Sequence, residues 1–409
     1  MLAADSAATI EGRAGTKIYH SENKLFNLSK YRPIGVMIYN SVHLCGVPWE
    51  TIIKEYRKQF IDKKFDTLTE YADDFIGYLN NNTYLFPLDQ YVSDSTHTVA
   101  RVLREIKEDH DAVILHNPGQ NKMASLATLL QEKIAQLEKA NFLIGFDVPF
   151  EIRFRRHFSQ SIRVLAETVF SRKRFPRTVS LAIERYVVLC FTRKLNDAGT
   201  TGVVLAGFGE RDVFPRLRCF SIESVVLGRL KMVEGRAETI SLDNPATWRS
   251  FARSEVVASI IGGIHPTYRA NFLRGALRLV HDNVMAALTE ITELNAAQRQ
   301  AYETTLTQRA TEAWVRYFDE MDAFARNRFE DPVRRSLDGL GKDDLAKIAE
   351  SLVSITSFRQ QISPEEETVG GPIDVAVISK GDGFIWIKRK FYFDAKFNPH
   401  FIERYYRDA

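Results

Sequence analysis

The residues best placed for chemistry stand near the two ends of the sequence: Asp5 in LAADSAAT, Lys24 in NKLFNLS, and the Gly370–Gly371 pair that enters the last apolar runs. A carboxylate and an ammonium brought together form a charge-assisted hydrogen bond. Such a pair can bias proton transfer at a neighbouring group, or it can be an ordinary ion pair at a strand end, and the residue types alone leave both open.

Other chemistries lack their patterns. No GxxxxGK[ST] loop occurs, and HNPGQNK around Gly119 has neither a second glycine nor a preceding strand, which argues against nucleotide hydrolysis. The nine histidines form no HExxH and no close cluster of two histidines with a carboxylate, so His265 and His281 read as structural and no metal or cofactor is expected. No GxSxG elbow is present, which removes the α/β-hydrolase type of serine chemistry. Cys45, Cys190 and Cys219 are far apart, with no CxxC pair. That spacing fits a reducing cytoplasm better than a disulfide framework.

Bulk composition narrows the class further. With 409 residues, 45% of them hydrophobic and 26% charged, the chain can bury a substantial core. Its net charge of +3, set against 55 basic and 52 acidic residues, gives no general field toward nucleic acid or membrane. No apolar run is long enough to span a bilayer, and no signal peptide is recognisable. The one concentrated patch is the basic run from IRFRRHF to SRKRFPR, with Arg153, Arg155, Arg156, Arg172, Lys173, Arg174 and Arg177 among phenylalanines. A solvated helix face is its preferred reading, so nucleic acid is not an expected partner.

The elements that must carry Asp5, Lys24 and the glycine pair follow from periodicity. MLAADSAATI, KIYHS, NKLFNLS and GVMIY read as short strands; PWETIIKEYRKQF then opens a helix, with Trp49, Ile52, Ile53, Tyr56 and Phe60 on one face. A helical stretch at about 63–195 follows. GVVLAGFG and DVFPRLRCFSIESVVLGRLKMVE give the next strands, and Ser254 to about Gln361 is again helical. VGGPIDVAVISKGDGFIWIK closes the order as a hairpin turning at KGDG. Strands, helices, strands, helices and a hairpin predict an α+β fold, with two packed antiparallel sheets between helical layers.

Four blocks of the sequence, in order, resemble the proteasome β-type branch of the N-terminal nucleophile hydrolases. AADSAAT at Ala3–Thr9 is similar to that family's strand ending in Ala-Asp-Ser/Thr, and KLFNL at Lys24–Leu28 to its lysine-led strand. VVLAGFGERDVFPRL resembles its central strand pair, and VGGPIDVAVISKGDGFIWIK its closing hairpin. The resemblance covers about half the chain. It implies a single proteasome-like domain over 1–409, a four-layer αββα sandwich with large helical insertions at about 63–195 and 265–340. It also implies a homo-oligomer acting on peptide or protein amide bonds.

By the same resemblance, Lys24 would lie beside a threonine nucleophile and Asp5 would hold the lysine, with Lys17 a weaker rival. Asn40 or Ser41 in GVMIYNS would offer an oxyanion-hole N–H, and Gly370 and Gly371 would supply backbone at the other end of the site. Glu366 in PEEETVGG would stand in for a family aspartate, while Val369 replaces a serine. The family's threonine lies a full strand ahead of the aspartate, whereas four residues precede Asp5 here, and Thr16 after Gly15 imitates a processing junction only at the expense of that strand. The expectation is therefore either a start upstream of Met1 or an inactive homologue, with a non-catalytic scaffold as the alternative.

Overall fold

A computed structural model describes all residues except 13–14, 60–62, 197–198, 364–368, 392, 401–402 and 404–409, and the side chains of all the others except 8–17 and 395. The chain divides into two compact units: residues 1–239 with 368–409, and residues 240–367.

The first unit opens with strands β1 (Leu2–Ala4), β2 (Ala8–Gly12), β3 (Gly15–Tyr19), β4 (Leu25–Asn27) and β5 (Ile34–Asn40). The two-residue strands β6 (His43–Leu44) and β7 (Val47–Pro48) lead into helices α1 (Trp49–Gln59), α2 (Leu68–Asn81), α3 (Leu88–His116), α4 (Lys122–Glu138), α5 (Val148–Val169) and α6 (Arg177–Thr192). Strands β8 (Thr201–Gly207), β9 (Arg216–Val226), β10 (Arg229–Glu234) and β11 (Glu238–Thr239) follow. The second unit contributes α7 (Ser254–Gly262), α8 (Pro266–Glu290), α9 (Ala296–Ala325), α10 (Asp331–Asp338) and α11 (Lys342–Gln361). The chain then re-enters the first unit through β12 (Asp374–Ser379) and β13 (Gly383–Lys388).

All strand pairing is antiparallel. A six-stranded sheet runs β10-β9-β8-β5-β4 with β11 added to β9, and a three-stranded sheet runs β1-β12-β13. Alternation in β5 sends Ile34, Val36 and Ile38 to one face, where they pack with Val203, Leu205, Phe220 and Ile222 under Trp49, Ile52 and Tyr56 of α1 and Tyr71 and Phe75 of α2. The opposite face carries Gly35, where an added Cβ would meet Leu2 at 2.9 Å, Ile378 at 2.7 Å and Phe384 at 2.9 Å. That glycine lets the small sheet lie close on the large one, giving three layers in this unit: helices, large sheet, small sheet.

Helices α3–α6 add a core of their own. Val99, Val102 and Ile106 meet Phe150, Phe154, Phe158 and Phe191, with Leu126 and Leu130 from α4. Local chemistry sets the start of α5: Asp147 accepts from the Phe150 N–H at 2.8 Å, and Pro149 occupies the first turn. The α+β class, the antiparallel pairing and the KGDG hairpin turn between β12 and β13 agree with the sequence pattern.

Candidate functional site

Asp5 lies in the break between β1 and β2, where the chain leaves the small sheet. Its carboxylate gathers three donors. Oδ2 accepts from the Ala7 N–H at 2.9 Å, a local Asx-type turn, and from the Gly370 N–H at 3.0 Å; Oδ1 accepts from Lys24 Nζ at 2.8 Å. Lys24 stands just ahead of β4, and its carbonyl accepts from the Ile38 N–H of β5 at 2.8 Å. The two side chains are largely shielded but not sealed, at 8% exposure for Lys24 and 12% for Asp5. A charge-assisted bond in such a place is stronger than its exposed counterpart.

The glycine pair has a specific duty. Gly370 donates to Asp5 and accepts from the Ser6 N–H at 3.1 Å, so it grips the start of the chain from both sides of its peptide. Gly371 has φ of 76°, and a Cβ there would stand 2.8 Å from His20 Cβ. A side chain is excluded twice, by backbone conformation and by space.

A second lysine–carboxylate pair adjoins the first, and sequence reading missed it. Lys390 Nζ donates to Asp374 Oδ2 at 3.0 Å, to Ser6 Oγ at 2.7 Å and to the Glu22 carbonyl at 2.7 Å. The buried Ser6 hydroxyl in turn donates to the Pro372 carbonyl at 2.6 Å. Lys390 follows β13 in the charged run KRKFYF. Its only signal is the hairpin register, which sets Lys388 against Val375 and so brings Lys390 alongside Asp374.

Asn40 ends β5 with φ of 65°, an angle asparagine tolerates better than most residues, and it lies two residues beyond the Ile38 that bonds Lys24. Ser41 is built into the following turn. Its N–H points to the Thr200 carbonyl at 3.5 Å, and its own carbonyl accepts from Thr201 Oγ1 at 2.9 Å. Asn40 is therefore the better placed of the two expected N–H donors. Glu366 lies outside the described residues, as do the side chains of Thr16 and Lys17.

Cysteine chemistry finds no support at Cys45 or Cys190. Burial, reinforced by Asp94, pushes the Cys45 thiol far up, and burial raises Cys190 to about 11. Burial also raises the Asp94 carboxyl. Lys231 and Glu223 form a sealed pair at 2.8 Å, with side chains 0% and 2% exposed. Burial depresses the Lys231 ammonium, and Glu223 works against that depression. In the basic run, Arg155 bonds Glu184 at 2.9 Å, and Arg172 Nε donates to the Arg174 carbonyl at 3.0 Å. Residues 172–174 and 177 are exposed. His265, read as structural, caps α8 by accepting from the Thr267 N–H at 3.2 Å.

Among the described residues no cluster of three or more His, Cys, Asp or Glu could hold a metal ion, and no helix is long and apolar enough to cross a membrane. Comparison with models of known families, with curated proteins and with solved structures found no match.

Proposed function

We propose that this chain is a proteasome-type N-terminal nucleophile hydrolase homologue, built on a four-layer αββα sandwich with large helical insertions. The observation that carries the reading is the Asp5–Lys24 pair, held at one strand junction by Ala7 and Gly370 and left partly open to water. In an amide hydrolase of this kind a hydroxyl attacks the carbonyl carbon, and its proton passes to an amine acting as base. Lys24 would favour the oxyanionic form of that hydroxyl, and Asp5 would hold the ammonium in place by its charge-assisted hydrogen bond. Asn40 would present the backbone N–H to the developing oxyanion. The substrate class is a peptide or protein amide.

The test is covalent capture. Protein isolated from its native source, with its N-terminus sequenced, is treated with a peptide epoxyketone and assayed on a fluorogenic peptide. Labelling and hydrolysis are expected, and Lys24→Ala should lower turnover by about 100-fold or more. Absence of both from the native protein would overturn the hydrolase reading. A non-catalytic binding protein on the same fold is the second reading, favoured by the exposed aromatic face of α8 and α9, which amide hydrolysis does not use.

A further inference from the structure

Within unit 240–367, α8 and α9 form a long antiparallel hairpin, joined near its open end by the Arg269–Asp322 ion pair. The two helices bury little. Leu288 is the one buried residue of α8, and α9 has none. Yet both carry apolar side chains at helical spacing. Tyr268, Phe272 and Leu279 recur at intervals of four and seven on α8, and Tyr317, Met321 and Phe324 at intervals of four and three on α9. Each of the six is 42–65% exposed.

Phe272 and Leu279 of the α8 stripe also line a cavity of about 790 Å³ running along the hairpin, whose lining is apolar apart from Asn283. Phe272 of α8 and Ile291, which caps that helix, mark its ends, a span of roughly 28 Å at the rise of an α-helix. Leu306 and Trp314 wall it from α9. A groove of this length and polarity takes amphipathic helices.

We propose that the α8–α9 hairpin pairs with the same hairpin of a second copy of this chain, closing a four-helix bundle. Two observations select that occupant. The first is area. The six stripe residues together with Ile291 and Tyr302 leave about half of each side chain in water. At roughly 150–250 Å² for a full aromatic surface, this is on the order of 800 Å² per copy, the share each partner contributes to a standard stable interface.

The second is charge. At the open end Arg269, Arg274 and Arg278 of α8 stand with Asp319, Glu320 and Asp322 of α9; toward the tip Asp282, Glu290 and Glu303 stand with Arg299 and Arg309. At the open end the basic groups are on α8 and the acidic groups on α9, so a two-fold pairing can set opposite charges against one another, whereas a polyanion or a polycation would be repelled by one helix or the other. Two helices with unsatisfied apolar faces are half of a bundle, and an identical pair supplies the other half.

Sedimentation velocity on the full chain at micromolar concentration tests the pairing without reference to catalysis. The wild type should sediment at two chain masses, and Leu279→Glu and Tyr317→Glu should each halve that mass while helical circular dichroism is retained. Leu181→Glu, at a 48%-exposed position on α6, should leave it unchanged. Hydrogen exchange of the wild type on dilution gives an independent readout: amides of 268–291 and 302–324 should lose protection together as the pair dissociates. A monomeric wild type overturns the proposal, including one that takes up an apolar fluorophore in the groove. A Leu279→Glu chain that keeps its mass, or hairpin protection that ignores dilution, does so too.

Discussion

Lys24–Asp5 and Lys231–Glu223 are the same chemistry in two settings. Both pairs close at 2.8 Å, and both lysines are buried. Around Lys231, however, the protein fills the space: Nζ also donates to the Cys190 carbonyl at 2.9 Å and lies 5.0 Å from the Phe191 ring centroid. Glu223 takes the Asn196 N–H and Nδ2, each at 2.8 Å. That pair fastens α6 and the turn after it to β9 and β10, and no substrate atom could reach it. Lys24 is held by a carboxylate whose other oxygen is fixed by backbone N–H groups, with part of each side chain still in contact with water. The two pairs therefore differ in access to solvent, not in contact distance.

The contrast can be broken most severely at the sealed pair. Lys231→Ala removes the ammonium nearest a carboxylate that is sealed from water, leaving Glu223 to Asn196 and to Arg101 at 3.5 Å, and urea unfolding should show a loss of about 3–5 kcal/mol. A loss no larger than that of an exposed pair would mean that water reaches Glu223 and the distinction fails. Lys24→Ala should cost less, about 2 kcal/mol, because each carboxylate keeps two N–H donors but Asp5, unlike Glu223, can admit water. Equal losses at the two lysines would erase the difference.

Gly371→Ala probes the scaffold around the open pair. Forcing a side chain into φ of 76° against His20 should lower stability by about 1–2 kcal/mol in thermal unfolding. The smallest effect is expected at Asp94→Asn. Burial raises the Asp94 carboxyl, so the folded state holds that proton more tightly than the unfolded chain. The stabilisation from the protonated form is complete below the ordinary carboxylate range and is lost as pH rises through the raised value. Asparagine stays neutral, so the variant should gain in melting temperature at about pH 7 and match the wild type near about pH 3. A gain that persists at low pH would point to packing rather than charge.

Sequence patterns located the strand and helix blocks because alternation and 3.6-residue spacing are local signals. The open pair was legible for a related reason: Asp5, Lys24 and Gly370–Gly371 all stand at strand ends, where polar residues interrupt apolar runs. Glu223 and Lys231 were not legible. In SIESVV and RLKMVE they occupy alternate positions that ordinarily face solvent, and the packing of α3 on β9 and of Cys190 and Phe191 of α6 against Lys231 buries them. Ser6, Asp374 and Lys390 stayed hidden because their meeting depends on strand register across the whole chain. The helical stretch at about 63–195 held more than one role: α2 covers the large sheet, while α3–α6 share a separate aromatic core.

The hydrogen bond from Gly370 to Asp5 spans 365 residues. At about 5–20 residues per second on the ribosome, roughly 20–70 s separate synthesis of the two partners. Throughout that interval the early strands lack the turn that fixes the carboxylate and the hairpin that pairs with β1. The lysine–aspartate junction is thus assembled last. A nascent chain or one clipped before Gly370 would carry both residues without this arrangement, so any activity at this junction would be withheld until the segment from Gly370 to β12 has been made.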